Sequence, residues 1–295
     1  MAKGTNNNSG SGSSASGSAS SKAKRTKLTT SSRDASSVAN VPKTLRGHIF
    51  YGLNLDEDQI RFGDMILDEN IKAVFCNAKS GSGKTTIAVA TAVMLVEYGL
   101  YDMIVYCMHS VGDAQGFLPG TISEKSEVWF EGLYQALVTA NQNPQQVILD
   151  ASLSGMNNLK TGTGFVKAVT DTYLRGSTVG GDRRTIFIVD EAQNFDIHSL
   201  RKTLTRATDD SKVIVIGHDG QIDLPNHGAS GFIPCMEHFR AKDDPRFGFC
   251  ELTVNHRGLV SRTADENWDL LTDYRRGFYP GNGPEDIDKM IILGM

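Results

Sequence analysis

Residues 72–98 constrain the fold of this chain more than any other stretch. A short apolar run, Lys72 to Asn77, enters a Gly/Ser-rich turn. A long apolar segment, Thr85 to Tyr98, leaves it and stops at Gly99. The run reads as a strand, and the segment has the length and the glycine stop of a helix. The turn, Ala78-Lys79-Ser80-Gly81-Ser82-Gly83-Lys84-Thr85, fits the P-loop pattern with Ala in place of the first Gly. Glycines there let backbone N–H groups turn inward around phosphate oxygens, and the helix start aims its positive end at the same place. Lys84 supplies a mobile cation to the β- and γ-phosphates, and the Thr85 hydroxyl is placed to bind Mg²⁺. Residues 78–86, Thr86 included, are the expected ATP-binding set. A chance Gly/Ser turn is the bland alternative, and the flanking strand and helix count against it.

A second segment completes such a site. Thr185-Ile-Phe-Ile-Val-Asp-Glu-Ala-Gln-Asn194 runs four apolar residues into two adjacent carboxylates. A buried parallel strand would deliver Asp190 and Glu191 at its C-terminal edge, where ligands bind in such sheets. Asp190 is expected to hold the Mg²⁺ shell, and Glu191 to orient and deprotonate the attacking water. After a further run, Val213 to Ile216, comes Gly-His-Asp-Gly-Gln221, where Gln221 could sense the γ-phosphate or its water.

The rest of the pattern agrees. Met103–Met108 and Val147–Ala151 read as strands. Glu124–Ala140 and Asp196–Thr208 read as helices, the former with a capping box at Thr121-x-x-Glu124. Strands separated by helix-length segments predict βαβ units and a mostly parallel sheet covered on both faces. The expected fold is therefore α/β, a three-layer P-loop NTPase of RecA-like type over residues 47–275. Residues 1–46 are Ser/Gly-rich with almost no large apolar side chain, and are expected to be a disordered tail. Residues 276–295 read as a C-terminal tail that could dock on the domain.

Charge separates these parts. Residues 1–48 hold five Lys and three Arg against one Asp, a net of +7. That leaves −11 for the remainder of a chain whose total is −4. A basic tail on an acidic body suits contact with an anionic partner, or mere solvation. The four cysteines show no CxxC or zinc spacing, which predicts no structural metal and fits a reducing, cytoplasmic setting. No apolar run of membrane-spanning length is present, so no membrane association is expected.

With these residues in hand, the chain resembles the PhoH family, P-loop ATPases related to superfamily 1 helicases. The likeness covers roughly residues 50 to 265. It is carried by AKSGSGKT (78–85), GFLPGTISEK (116–125), YLRGS (173–177), FIVDEAQN (187–194) and GQIDLP (220–225). The resemblance implies ATP hydrolysis and a role in RNA metabolism. Leu55-Asp-Glu-Asp-Gln59 looks like the glutamine motif of helicase relatives, which would set Gln59 to read the adenine edge. Leu252-Thr-Val-Asn-His-Arg257 is similar to the LxxNYR motif, which makes Arg257 a candidate γ-phosphate sensor. The third motif departs from the family's Gly-Asp-x-x-Gln, with His218 at the Asp position. Ser177 replaces the family's second Arg after YxRG.

The leading expectation is an Mg²⁺-dependent ATPase that couples hydrolysis to binding or remodelling single-stranded nucleic acid, with RNA favoured over DNA. The alternatives are a nucleotide-dependent switch with little turnover, and a P-loop kinase acting on a small molecule. One P-loop and one carboxylate strand in a folded part of this length lead to the expectation of a single ATPase lobe. By analogy with family members this predicts a homo-oligomer, a hexameric ring being favoured, with ATP at subunit interfaces.

Overall fold

The computed structural model describes residues 41–109, 130–149, 164–174, 176–224 and 226–265. GFLPGTISEK, the Thr121/Glu124 capping box, Arg175, Pro225 and the tail at 276–295 lie outside the described residues.

Six strands make one sheet: β1 (Ala73–Ala78), β2 (Met103–Met108), β3 (Val166–Thr170), β4 (Thr185–Val189), β5 (Ser211–Gly217) and β6 (Phe247–Leu252). Their order is β3-β2-β4-β5-β1-β6, and every pairing is parallel. The helices are α1 (Glu57–Leu67), α2 (Lys84–Glu97), α3 (Glu131–Thr139), α4 (Pro144–Val147), α5 (Ile197–Leu204), α6 (Phe232–Arg240) and α7 (Leu259–Asp265).

Strand alternation sorts the core into two layers. Val74, Cys76, Ile104, Tyr106, Ile186, Ile188, Ile214 and Ile216 pack with α1, α2 and α3. Phe75, Val105, Cys107, Phe187, Val189 and Val215 pack with Leu200 of α5 and Phe232, Cys235 and Met236 of α6. This is the expected three-layer α/β fold with a parallel sheet. All four cysteines are free and buried. Among the described residues no helix is long and apolar enough to cross a membrane.

The structure corrects three expectations. Val147–Ala151 does not form a strand over its described part. Asn143 caps a short helix through the Gln145 N–H, with Pro144 in its first turn, and this holds Val147 in α4. Only Ile148 then bridges to Val166. The helix expected over 196–208 ends at Leu204, and Ala207 instead bridges to Val179. Finally, residues 41–46, placed with the tail, are attached to the body. Leu45 is 2% exposed in the core, its N–H donates to Asp64 Oδ1 at 2.6 Å, and Arg46 pairs with Glu57. Leu45 in the core, Val41 against it and polar contacts from Thr44 and Arg46 together dock that end.

Candidate functional site

Strand order places the site. The P-loop follows β1 and the carboxylate pair follows β4, with β5 between them. Two strand spacings, roughly 9–10 Å, separate the two backbones, a gap that side chains must close. They do close it. Thr85 Oγ1 donates to Asp190 Oδ2 at 2.7 Å, and Lys84 Nζ lies 3.3 Å from Glu191 Oε1. Lys84 and Thr85 open α2, whose N-terminus carries no side-chain cap. Helix geometry leaves the first N–H groups of α2 without acceptors inside the helix, and they face the turn that precedes it.

The turn is held from several sides. Ala78 is buried and pairs in register with Leu252. The Lys79 N–H donates to the Leu252 carbonyl at 2.9 Å, while its side chain is exposed. Arg257 Nη1 donates to Ser80 Oγ at 3.1 Å. Ser82 is buried, and its Oγ has no partner among the described residues. Gly81 and Gly83 have φ of 71° and 82°, the left-handed region that glycine enters freely. A side chain on Gly81 would also meet Asn255 Oδ1 at 2.5 Å. Thr86 is half-buried in the first turn of α2.

Asp190 is 2% exposed and fully engaged. Beside Thr85 it accepts from Tyr106 Oη at 2.5 Å, and its other oxygen accepts from the Glu191 N–H at 2.7 Å. Burial, with the adjacent Glu191 charge, pushes its carboxyl above the usual range, while Lys84, Tyr106 and Thr85 pull the other way. Burial beside Asp190 also pushes the Tyr106 hydroxyl well up. Glu191 is a non-glycine residue at φ 50°, a conformation costing on the order of 1–2 kcal/mol. It turns the chain sharply from β4 into a short 3₁₀ helix, Ala192–Asn194.

That helix carries two residues that sequence reasoning did not single out. Gln193, 1% exposed, donates from Nε2 to Glu191 Oε2 at 2.6 Å and accepts the His218 N–H on Oε1 at 2.9 Å. It ties the carboxylate to the end of β5. Its approach requires Gly217, where a Cβ would lie 2.9 Å from Gln193 Oε1. Asn194 exchanges two hydrogen bonds with Asp223, at 2.9 and 2.8 Å. The spacing of Gln193 and Asn194 behind the carboxylates was the available signal.

The structure positions the remaining expected residues around the loop and beyond it. Gln59 is buried, with Nε2 donating to the Ser82 carbonyl at 2.8 Å and Oε1 accepting from the Asp56 N–H. Gln221 is exposed in the turn after His218, its N–H bonded to the His218 carbonyl. His218 is buried, and its Nδ1 has no partner among the described residues. Arg257 is exposed and rests on Ser80. A hydroxyl and a carboxylate 2.7 Å apart form a hard oxygen set that suits Mg²⁺, which takes few protein ligands and completes its shell with phosphate and water. No group of three or more His, Cys, Asp or Glu that could hold a metal alone occurs among the described residues.

Known proteins resemble this chain over most of its length. Residues 54–263 match the family described as PhoH-like protein. The chain is 31% identical over 208 residues to Protein PhoH2 of Bacillus subtilis (strain 168), covering 68% of this chain and 44% of that protein. It is 33% identical over 232 residues to a PhoH-like protein of Mycobacterium tuberculosis (strain H37Rv), covering 77% and 58%. The chain thus spans about half the length of the curated relatives it matches. Among solved structures, a DEAD box protein from Methanococcus jannaschii aligns at 16% identity and TM-score 0.38, over 70% of this chain and 56% of that one.

Proposed function

Because the chain belongs to the PhoH-like protein family, we propose that it is an Mg²⁺-dependent ATPase that couples hydrolysis to binding or remodelling of single-stranded nucleic acid, RNA being the favoured partner. One observation carries the reading. The P-loop lysine and threonine each face one member of the adjacent carboxylate pair, Lys84 toward the half-buried Glu191 and Thr85 toward the buried Asp190.

The chemistry then assigns itself to residues. N–H groups of the P-loop and of the α2 start cradle the phosphates. Lys84 leaves Glu191 for the β- and γ-phosphate oxygens, a stronger anionic partner. Thr85 and Asp190 would hold Mg²⁺, which would supply positive charge beside the phosphate oxygens. Glu191, released from Lys84, orients the attacking water and takes its proton. Gln193 keeps hold of Glu191 Oε2, so the base is fixed while its other oxygen is free. Arg257 is the candidate cation for the γ-phosphate, one P-loop residue away on Ser80. Gln59 retains one N–H and one lone pair, enough to touch an adenine edge. Gln221 lies on the loop that Gln193 and Asn194 tie to the carboxylates, a route by which hydrolysis reaches a bound strand. A homo-oligomer, with a ring of six favoured, would close the exposed side of this site. The P-loop set is thus Ala78, Lys79, Ser80, Gly81, Ser82, Gly83, Lys84, Thr85 and Thr86.

The test is ATP turnover with and without a panel of single-stranded RNA and DNA at several salt concentrations. Phosphate contacts make binding fall with salt, by a slope of about 0.7 per contact for single strands. Turnover that is present and rises with RNA supports the motor. Nucleotide binding with negligible turnover under every condition would favour a switch.

A further inference from the structure

A closed ring of hydrogen bonds surrounds the middle of the P-loop. Gln59 Nε2 donates to the Ser82 carbonyl at 2.8 Å. Gln59 and Asp56 share a capping box at the start of α1, with the Gln59 N–H on Asp56 Oδ1 at 2.8 Å. The other Asp56 oxygen, Oδ2, meets His256 Nε2 at 2.7 Å. The backbone N–H of His256 donates to the Gly81 carbonyl at 2.9 Å. Gly81 and Ser82 are consecutive, so the circuit closes. Asp56 and His256 stand 200 residues apart in sequence and join the α1 cap to the loop after β6.

The ring acts on peptide planes. A trans peptide fixes its N–H opposite its carbonyl. Gln59 holds the Ser82 carbonyl, so the Gly83 N–H points the other way. His256 holds the Gly81 carbonyl, and the Ser82 N–H at the other end of that plane bonds the Lys79 carbonyl at 3.2 Å. The same loop lays Arg257 on Ser80 Oγ and packs Asn255 against Gly81. Neighbouring acids are otherwise engaged: Glu57 by Arg46, and Asp58 by Arg61.

We propose that Asp56 and His256 form a clasp that positions the P-loop, so that nucleotide affinity depends on a contact touching no phosphate. Both are positioning residues, and the proposal rests on residues 78–86 being a nucleotide site. The pair is legible in neither segment alone, because each half of it looks like an ordinary surface residue.

The experiment uses the full chain and a fluorescent ATP analogue with Mg²⁺, alongside steady-state ATP hydrolysis. Asp56→Ser keeps a good helix cap but is too short to reach His256. His256→Phe removes the donor, and His256→Gln keeps an N–H able to reach the carboxylate. The expected result is that Asp56→Ser and His256→Phe each weaken analogue binding about tenfold, with KM rising in step and kcat little changed. The double variant should bind no worse than the weaker single, and His256→Gln should recover most of the affinity. A merely structural pair would lower the unfolding midpoint without this KM effect or this non-additivity. Unchanged affinity in His256→Phe, or fully additive losses, overturns the clasp while leaving the nucleotide site standing. Failure of the unaltered chain to bind the analogue overturns both.

Discussion

Lys212 offers a pH-dependent test of how α1 is held. It is the second residue of β5, 1% exposed, and Nζ donates to the carbonyls of Ile66 and Asp68 at 2.7 and 2.6 Å. The ammonium thus closes the C-terminal end of the helix whose first turn supports the P-loop. Burial lowers its pKa from 10.5 to about 8, with Lys72 adding to the effect and Asp68 opposing it. Below pH 8 the lysine is charged in both folded and unfolded states, and the folded state bears the full desolvation cost. Between pH 8 and 10.5 the unfolded chain holds the proton more tightly, so stability rises with pH. At 1.36 kcal/mol per unit, the 2.5-unit difference corresponds to about 3 kcal/mol, of which about 2 is recovered by pH 9.5. Other groups titrate in the same region with the opposite sign. Burial pushes the hydroxyls of Tyr51 and Tyr106 up, and that of Tyr101 to about 12, so these cost stability as pH passes 10. Comparison with Lys212→Met removes their contribution, since it is common to both proteins. The assay is urea unfolding of the two proteins at pH 7.5, 8.5 and 9.5 under reducing conditions. The stability difference should shift toward the unaltered protein by about 2 kcal/mol across this range. A flat difference, or one that moves the other way, refutes the assignment of a depressed Lys212.

Four further outcomes follow from the site and its surroundings. Lys84→Ala should abolish ATP hydrolysis with the unfolding midpoint intact, because its side chain packs no core; near-normal turnover would contradict the site. Glu191→Gln should bind ATP with Mg²⁺ and trap it, as Thr85 and Asp190 remain to hold the metal; joint loss of binding and turnover would make Glu191 structural. Deletion of residues 1–40 should leave basal ATPase activity unchanged, whereas Leu45→Ala in the same assay series should cost about 2–5 kcal/mol of stability by urea unfolding, as expected for a buried leucine.

Which elements were legible in the sequence follows from where they sit in the sheet. β1, β2, β4 and β5 are central and covered on both faces, so each reads as an unbroken apolar run. β3 and β6 are the edges. Their burial is interrupted, by Lys167 in the former and Glu251 in the latter, and no such run announced them. Val147–Ala151 misled because β-branched and apolar residues outweighed the helix-starting Asn143-Pro144 pair. The P-loop and the Asp190-Glu191 pair could be named beforehand because their chemistry is carried by adjacent residues. For Gln193 the spacing behind the carboxylates was only a hint, since its importance lies in reaching both Glu191 and the backbone of His218. The Asp56–His256 contact lies further still from the sequence, as it exists only once β6 has been laid beside β1.

The burial of every cysteine has a practical consequence. Thiolate, not thiol, is what alkylating and disulfide reagents attack. Desolvation pushes the Cys76 and Cys107 thiols far up and that of Cys235 to about 11, and Cys250 is only 5% exposed. The folded protein therefore presents a nearly silent background to maleimide chemistry. A single cysteine placed at an exposed position such as Gln221 could be labelled without first replacing any native residue. A fluorophore or spin probe there would watch the loop beyond β5 in an otherwise unaltered core. Slow labelling of the native thiols would in turn report, residue by residue, how often each half of the sheet opens.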